Sequence, residues 1–422
     1  MHLLSNLPFS LDWLPPDIYL VGGAVRDSLL GRQPERLDFD LVLAGPAVAT
    51  AWAIAQHYGA GFVVLDAERQ VARVVFPEAT VDFAQQEGTS LIQDLQRRDF
   101  TINAMAYDFG TKTLIDPLKG QQDLEKGLIR RIARQNLAAD SLRLLRAYRQ
   151  AAQLNFTLDP LTRRDISNLA PLLQEVAAER VQTELNLLLR ATPGWPWFQL
   201  AQADGVLQPW LPAIAGPNIQ RLQALEQLVL QGDDFWLALA VSLEQPVSFA
   251  QPGPPTAKLE QPLSWLALVK LTCLLPLDPV VAKAVLLSLK YSRGVLRGVM
   301  TVLQEWRHLG SEFFSRRAQY EFFARVGPVF PAIALFGLTM GLKRSTLVPL
   351  VDLFLDPKDP IAHPQPLVSG ADLMYQLQIP PGPQIGKLLR AIQIGQAEGQ
   401  VTTPTAALQL AEKLLQKGCP NG

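Results

Sequence analysis

The hydrophobic periodicity of this chain changes once, near residue 133, and that change limits it to a mixed head followed by a helical remainder. Before it, short apolar runs read as strands. Residues 18–21 run into Gly22-Gly23, residues 37–43 alternate around Asp38 and Asp40, and residues 61–65, 71–76 and 80–83 complete a mixed sheet. Residues 24–30 and 48–58 have helical spacing, the first stopped by Gly31. After the change, residues 140–154, 159–173 and 178–190 repeat with helical period, and Asp159-Pro160 forms a cap and first-turn pair. Proline-rich joints near 248–255 and 356–366 read as linkers or long loops, and residues 366–417 return to helix. The expected class is α+β, an α/β head followed by an all-α body.

At 422 residues the chain exceeds one ordinary core, and about 150 residues per domain suggests roughly three. Hydrophobic content of 48% and charge of 18% exclude a disordered chain. The net charge is −1, so any nucleic-acid contact must come from local clusters; residues 126–164 supply nine Lys/Arg against two acids, Asp140 and Asp159. Cys273 and Cys419 have neither zinc spacing nor a disulfide framework, which fits a reducing cytoplasm. The four histidines are scattered, which argues against a histidine-ligated metal. Residues 1–13 lack the pattern of a signal peptide. The uncharged run 326–342 is interrupted by proline and glycine and reads as a buried helix rather than a membrane span.

Four segments concentrate chemistry: Gly22-Gly23-Ala24-Val25-Arg26-Asp27, Asp38-Phe39-Asp40, Arg97-Arg98-Asp99 with Asn103, and Asp140-Ser141-Leu142-Arg143. On a strand, residues two apart share a face about 6 to 7 Å from one another, so Asp38 and Asp40 can share divalent ions, and oxygen-only ligands suit Mg2+. A Gly-Gly strand-to-helix junction lets backbone amides approach phosphate. An arginine such as Arg98 adds charge-assisted bonds. Asp82 is either a third carboxylate or a strand-end surface acid. Asp140 and Arg143, placed on one helix a turn apart, can act as one surface. The carboxylate accepts from an exocyclic amino group and the guanidinium donates to a ring nitrogen and a carbonyl. Cytosine and adenine fit that pattern, whereas uracil and guanine reverse it.

These segments, in this order and spacing, resemble the bacterial tRNA nucleotidyltransferase / poly(A) polymerase family (class II). The resemblance implies a polymerase-β-like head at 1–135, a helical neck at 136–193 that binds base and RNA, a body at 194–310, and a tRNA-binding tail at 311–422. It implies that Asp38 and Asp40 are catalytic and hold Mg2+, that Gly23, Arg26 and Arg98 contact the triphosphate, and that Asp140, Arg143, Arg146 and Arg149 bind the nucleotide. Asp27, Asp99 and Asn103 order the surroundings, and Glu179-Arg180-Val181 with Glu184 forms a brace. Ala139 stands where the family usually has glutamate, and on a continuous helix Arg149 lies about 180° from Asp140. The implied substrates are tRNA, CTP and ATP, and the implied reaction moves a nucleotidyl group to the tRNA 3′-hydroxyl by a two-metal mechanism. Residues 83–96 are short where members adding all three terminal nucleotides have a longer flexible loop, so CC addition is favoured. The alternatives are full CCA addition, then an A-adding enzyme or poly(A) polymerase. Oligomeric state stays open.

Overall fold

The computed structural model describes residues 7–32, 37–249, 262–310 and 315–416. It divides into two compact units, Met1–Pro212 and Ala213–Gly422. In the first, the sheet is seven-stranded: β1 (Ile18–Val21), β2 (Leu37–Leu43), β3 (Gly61–Asp66), β4 (Val71–Val75), β5 (Ala79–Gln85), β6 (Ala106–Asp108) and β7 (Thr113–Ile115), in the order β3-β4-β5-β2-β1-β6-β7. Within this sheet β2 and β5 run parallel, and the other neighbouring pairs are antiparallel. The strands expected from sequence are present, and β6 and β7 are additions to them.

The sheet has two chemically different faces because strand side chains alternate. Phe39 and Leu41 of β2, Val81 and Phe83 of β5, and Ala72 and Val74 of β4 lie in register and are buried. They face helix α2 (Ala47–Tyr58), which contributes Ala47, Ala51, Ile54 and Ala55 to the core and is closed by Gly59 in the left-handed region. The opposite face carries Asp38, Asp40, Thr80, Asp82 and Arg73. Its β1–β2 half is covered by a small core of Val21, Val42, Leu95, Ala104 and Ala106. Leu95 comes from α3 (Leu91–Gln96), and Ala104 follows a 3-10 turn at Thr101–Asn103. Helix α1 (Gly23–Leu29) links β1 to β2.

Apart from a two-stranded parallel pairing of Leu128–Ile129 with Thr157–Leu158, the rest of this unit is mainly helical: α4 (Gly120–Glu125), α5 (Arg134–Ala139), α6 (Leu142–Leu154), α7 (Pro160–Leu169), α8 (Ala178–Leu189) and α9 (Trp195–Ala203). The Asp159 cap forms as expected, its carboxylate accepting from Thr162 N at 3.0 Å with Pro160 in the first turn. One expectation fails. Asp140 is not on a helix with Arg143, because its backbone is extended (φ −138, ψ 93) where α5 ends, and α6 starts only at Leu142.

In the second unit, Trp265–Leu274 is buried along nearly its whole length and contains an ion pair, Lys270 Nζ to Glu226 Oε1 at 2.8 Å, that is sealed from solvent. Phe330–Thr339, within the apolar run noted above, is likewise buried in this helical core. Helices Gly370–Leu377, Pro383–Ala397 and Pro404–Gln416 pack around a separate small core that includes Leu373, Leu388, Ile392, Ala407 and Ala411. The expected joint at 356–366 is a series of turns, whereas most of the joint at 248–255, like Cys419, lies outside the described residues. Cys273 is buried and free, and burial pushes its thiol up to about 12.

Gly120 starts α4 against the 3-10 turn that shapes the site. A Cβ there would lie 2.5 Å from Thr101 O and 2.9 Å from Met105 Cγ. Gly120→Ala is therefore expected to cost about 1–3 kcal/mol through overpacking. Gly386, inside Pro383–Ala397 with open space around it, should behave oppositely, and Gly386→Ala is expected to gain about 0.5–1 kcal/mol. Thermal denaturation of both variants checks the pair of signs.

Candidate active site

Asp38 and Asp40 occupy alternate positions of β2, so both project onto the open sheet face, beside the end of β1. Asp38 is exposed and accepts a hydrogen bond from Thr80 Oγ1 at 2.5 Å. Asp40 is partly buried. Burial, then the charge of Asp38, raises its carboxyl to about 6, with Arg98 and Arg146 pulling the other way. Two crowded carboxylates whose mutual repulsion a cation would relieve fit a divalent metal. Asp82 lies directly across from Asp40 on β5, but Arg73 holds both its oxygens, donating from Nε at 2.6 Å and Nη2 at 2.7 Å. Among the described residues, no group of three or more His, Cys, Asp or Glu is arranged to hold a metal. The donor set is thus two carboxylates, leaving a bound ion's other positions for water and phosphate oxygens, as suits a hard cation.

Gly22 is in the left-handed region (φ +75), and a Cβ there would lie 3.1 Å from Asp40 Oδ2 and 3.4 Å from Arg98 Nη1. Only glycine lets the turn, the carboxylate and the guanidinium approach this closely. Gly23 begins α1, with Arg26 Nη2 beside it. Arg26 donates twice to Asp27, from Nε at 2.9 Å and Nη2 at 3.0 Å, and from Nη1 to Asn103 Oδ1 at 2.8 Å. Arg98 donates from Nη2 to Asp94 Oδ2 at 3.1 Å, while its buried Nε has no hydrogen-bond partner among the described residues. Unmet donor capacity on a cation beside a glycine turn suits an anionic ligand.

Asp99 ties these groups to α6. It accepts from Phe100 N at 2.8 Å, Asn103 Nδ2 at 3.0 Å and Arg146 Nε at 3.2 Å. Burial alone would raise its carboxyl, but Arg146 and these hydrogen bonds outweigh that effect and hold it below the ordinary value. Arg146 also donates to Glu184 Oε1 at 3.3 Å, and Arg149 donates to Glu184 Oε2 at 2.8 Å and to Gln153 at 2.8 Å. Glu184 of α8 therefore braces two arginines of α6. Arg149 is mostly buried in this brace, and burial lowers its pKa.

Asp140 and Arg143 adjoin through a turn rather than along a helix. Arg143 N donates to Asp140 O at 3.0 Å, and Arg143 Nε stands 3.9 Å from Asp140 Oδ2. Arg143 Nη1 is spent on the carbonyls of Arg97 and Asn136, at 2.8 and 3.1 Å. Burial lowers the pKa of Arg143. Asp140 accepts from Arg180 Nη2 at both oxygens, 3.2 and 3.0 Å.

Sequence reasoning missed three of these participants, Asp94, Thr80 and Arg73, and it named Arg180 only as part of a brace. Asp94, 1% exposed, anchors Arg98 and Arg97; its position four residues before Arg98 was a readable helical spacing. The pairing of Arg180 with Asp140, of Thr80 with Asp38 and of Arg73 with Asp82 depends on tertiary register and left no local signal. The basic stretch 126–164 is also less available than its composition suggested. Arg130 pairs with Asp123 and Asp159, Arg131 with Asp165, and Arg163 with Asp204.

Comparison with known proteins bears on the family and the fold. The family described as "Poly A polymerase head domain" matches residues 18–130, "Probable RNA and SrmB- binding site of polymerase A" matches 155–216, and domain 2 of tRNA nucleotidyltransferase matches 262–411. A CC-adding tRNA nucleotidyltransferase of Synechocystis is 44% identical, covering 98% of this chain and 97% of the relative. An A-adding tRNA nucleotidyltransferase of Deinococcus radiodurans is 32% identical over 94% of this chain and 96% of its own length. The solved structure of a tRNA-processing enzyme with CTP superposes with a TM-score of 0.65 at 25% identity, covering 91% of this chain and 96% of that one. A CCA-adding enzyme without ligand shares the fold at a TM-score of 0.70 and 20% identity, over 96% of this chain and 91% of the other. Sheet, helical body and matches over nearly the full length together place this chain in the bacterial class II tRNA nucleotidyltransferase family, whose members are nucleotidyl-transferring enzymes.

Proposed function

We propose that this enzyme adds two cytidines to the 3′ end of tRNA and stops, transferring CMP from CTP with release of pyrophosphate. The observation that carries the reading is the connection between β5 and α3, residues 86–90, which is short and tied down. Glu87 N donates to Asp94 Oδ1 at 3.2 Å, Arg97 pairs with the Glu87 carboxylate at 2.8 Å, and Thr89 N donates to Gln93 Oε1 at 2.9 Å. The β3–β4 turn is likewise closed on itself, with Asp66 Oδ1 accepting from Glu68 N and Arg69 N at 3.0 Å each. A pocket bordered by such connections keeps one shape, and misplacement of a bound substrate costs rate steeply. The CC-adding name of the Synechocystis relative supports the same reading.

In this scheme Asp38 and Asp40 hold Mg2+, which when bound would neutralise phosphate charge and activate the attacking hydroxyl. The Gly22-Gly23 turn, Arg26 and Arg98 take the triphosphate. Asp140 accepts from the cytosine amino group and Arg143 donates to the ring nitrogen and carbonyl. Arg180 fixes the Asp140 carboxylate, and the Glu184 brace places Arg146 and Arg149 behind this edge. Helical neck and tail grip tRNA by shape and backbone. The reduced, buried Cys273 is compatible with a cytoplasmic enzyme.

Incubation of the purified protein with tRNA ending before CCA, CTP and ATP, followed by product sequencing, tests the specificity. Products ending in CC are expected, and efficient conversion to CCA would overturn it. Asp140→Ala and Arg143→Ala should each raise UTP incorporation relative to CTP by about tenfold or more, the cost of one buried mismatched hydrogen bond to a charged group. Steady-state kcat/KM for both nucleotides measures it; an unchanged ratio would remove this pair from base selection.

A further inference from the structure

The open face of the sheet continues well past the catalytic carboxylates. From Asp40 the register runs laterally to Asp82 on β5, Arg73 on β4 and Val63 on β3. Three strand spacings put Val63 about 14 Å from Asp40. The β1–β2 half of this face lies under Leu95 and Ala104, but that cover does not include β4 and β3. Val63 is 43% exposed and Leu65, at the bulge of the edge strand, is 50% exposed. An apolar, solvent-facing strip of this kind, continuous with a reaction centre, calls for an occupant.

Transfer chemistry says which one. The attacking and leaving oxygens lie roughly in line across the reacting phosphorus. The glycine turn and Arg98, proposed above for the triphosphate, are on the β1 side of Asp40. The attacking hydroxyl must then arrive from the β5 side, and the nucleotides behind it must lie over β4 and β3. We propose that the Asp82–Arg73–Val63 strip, edged by Leu65, seats the 3′-terminal nucleotides of the RNA acceptor; this rests on the reaction proposed above.

The chemistry of the strip suits that guest. Arg73 is locked in plane by its two bonds to Asp82, and a guanidinium plane stacks on a base. Val63 and Leu65 offer aliphatic surface to a base or ribose. No strip residue presents a base-reading amide, so contact is sequence-tolerant. A tolerant seat fits an end whose last nucleotide changes with every addition.

The test uses position 63 against its neighbour 64 on the opposite, α2-facing side of the same strand, where Val64 is 42% exposed. Both single variants, Val63→Asp and Val64→Asp, add the same charge to the same strand. With melting temperature and mass in solution measured alongside, Val63→Asp should raise KM for tRNA lacking CCA by about tenfold or more, the loss of one stacked base. KM for CTP should stay at the wild-type value, Val64→Asp should leave both constants near wild type, and Val63→Phe should keep or lower KM for tRNA. An unchanged KM for tRNA in Val63→Asp, or an equal rise in both Asp variants, would overturn the proposal. A change of mass in solution with unchanged KM for tRNA would also overturn it, assigning the edge to a contact between copies. Failure of the wild type itself to incorporate CMP would overturn the reaction, and this proposal with it. Wild-type turnover with insensitive variants would overturn this proposal alone.

Discussion

The buried carboxylate of Asp99 is the constraint on which the rest of the site depends. It receives a backbone N–H from Phe100, the amide of Asn103 and the guanidinium of Arg146. Two of those donors have a second task. Asn103 accepts from Arg26 beside the glycine turn and donates to Gln150 of α6 at 3.0 Å, and Arg146 shares Glu184 with Arg149. A buried charge without partners costs several kcal/mol, so none of these groups can relax alone. The glycine turn and helix α6 are thereby held in one hydrogen-bonded unit.

Against that fixed frame, the carboxylate edge of β2 is left electrostatically unsatisfied. Asp40 is raised by burial, by Asp38 and, to a smaller extent, by Asp82, both of whose oxygens are held by Arg73. Arg98 Nε has no partner among the described residues. A folded chain tolerates such deficits where a ligand supplies the missing charge, and here they coincide at the glycine turn. The short connection after β5 is itself bonded to α3 and Arg97 beside this edge.

Much of this was legible in the sequence, for physical reasons that can be named. β2 was read correctly because its two aspartates alternate with apolar residues, a pattern that a strand with one open face explains. The Asp159-Pro160 start of α7 was read from capping chemistry, which is local. Asp140 was misplaced because helical periodicity extends through Ser141 and Leu142 while the backbone turns at Asp140 itself; side-chain pattern does not report that change. β6 and β7 escaped notice since each spans only three residues. The basic run 126–164 looked like an RNA surface, yet most of its arginines pair with acids contributed from other elements, such as Asp165 and Asp204. Ion pairing across a fold depends on tertiary register, and composition does not contain it.

The measurement that bears most directly on the site as one unit is steady-state kcat/KM for CTP and UTP in Asp99→Asn, with melting temperature recorded alongside. The amide preserves the shape of the carboxylate but removes the charge that holds Arg146 and orders Asn103. The expected result is a fall in kcat/KM for CTP of about tenfold or more, the value of a hydrogen bond to a charged group, together with a reduced preference for CTP over UTP. Wild-type efficiency with wild-type nucleotide preference in Asp99→Asn would contradict it.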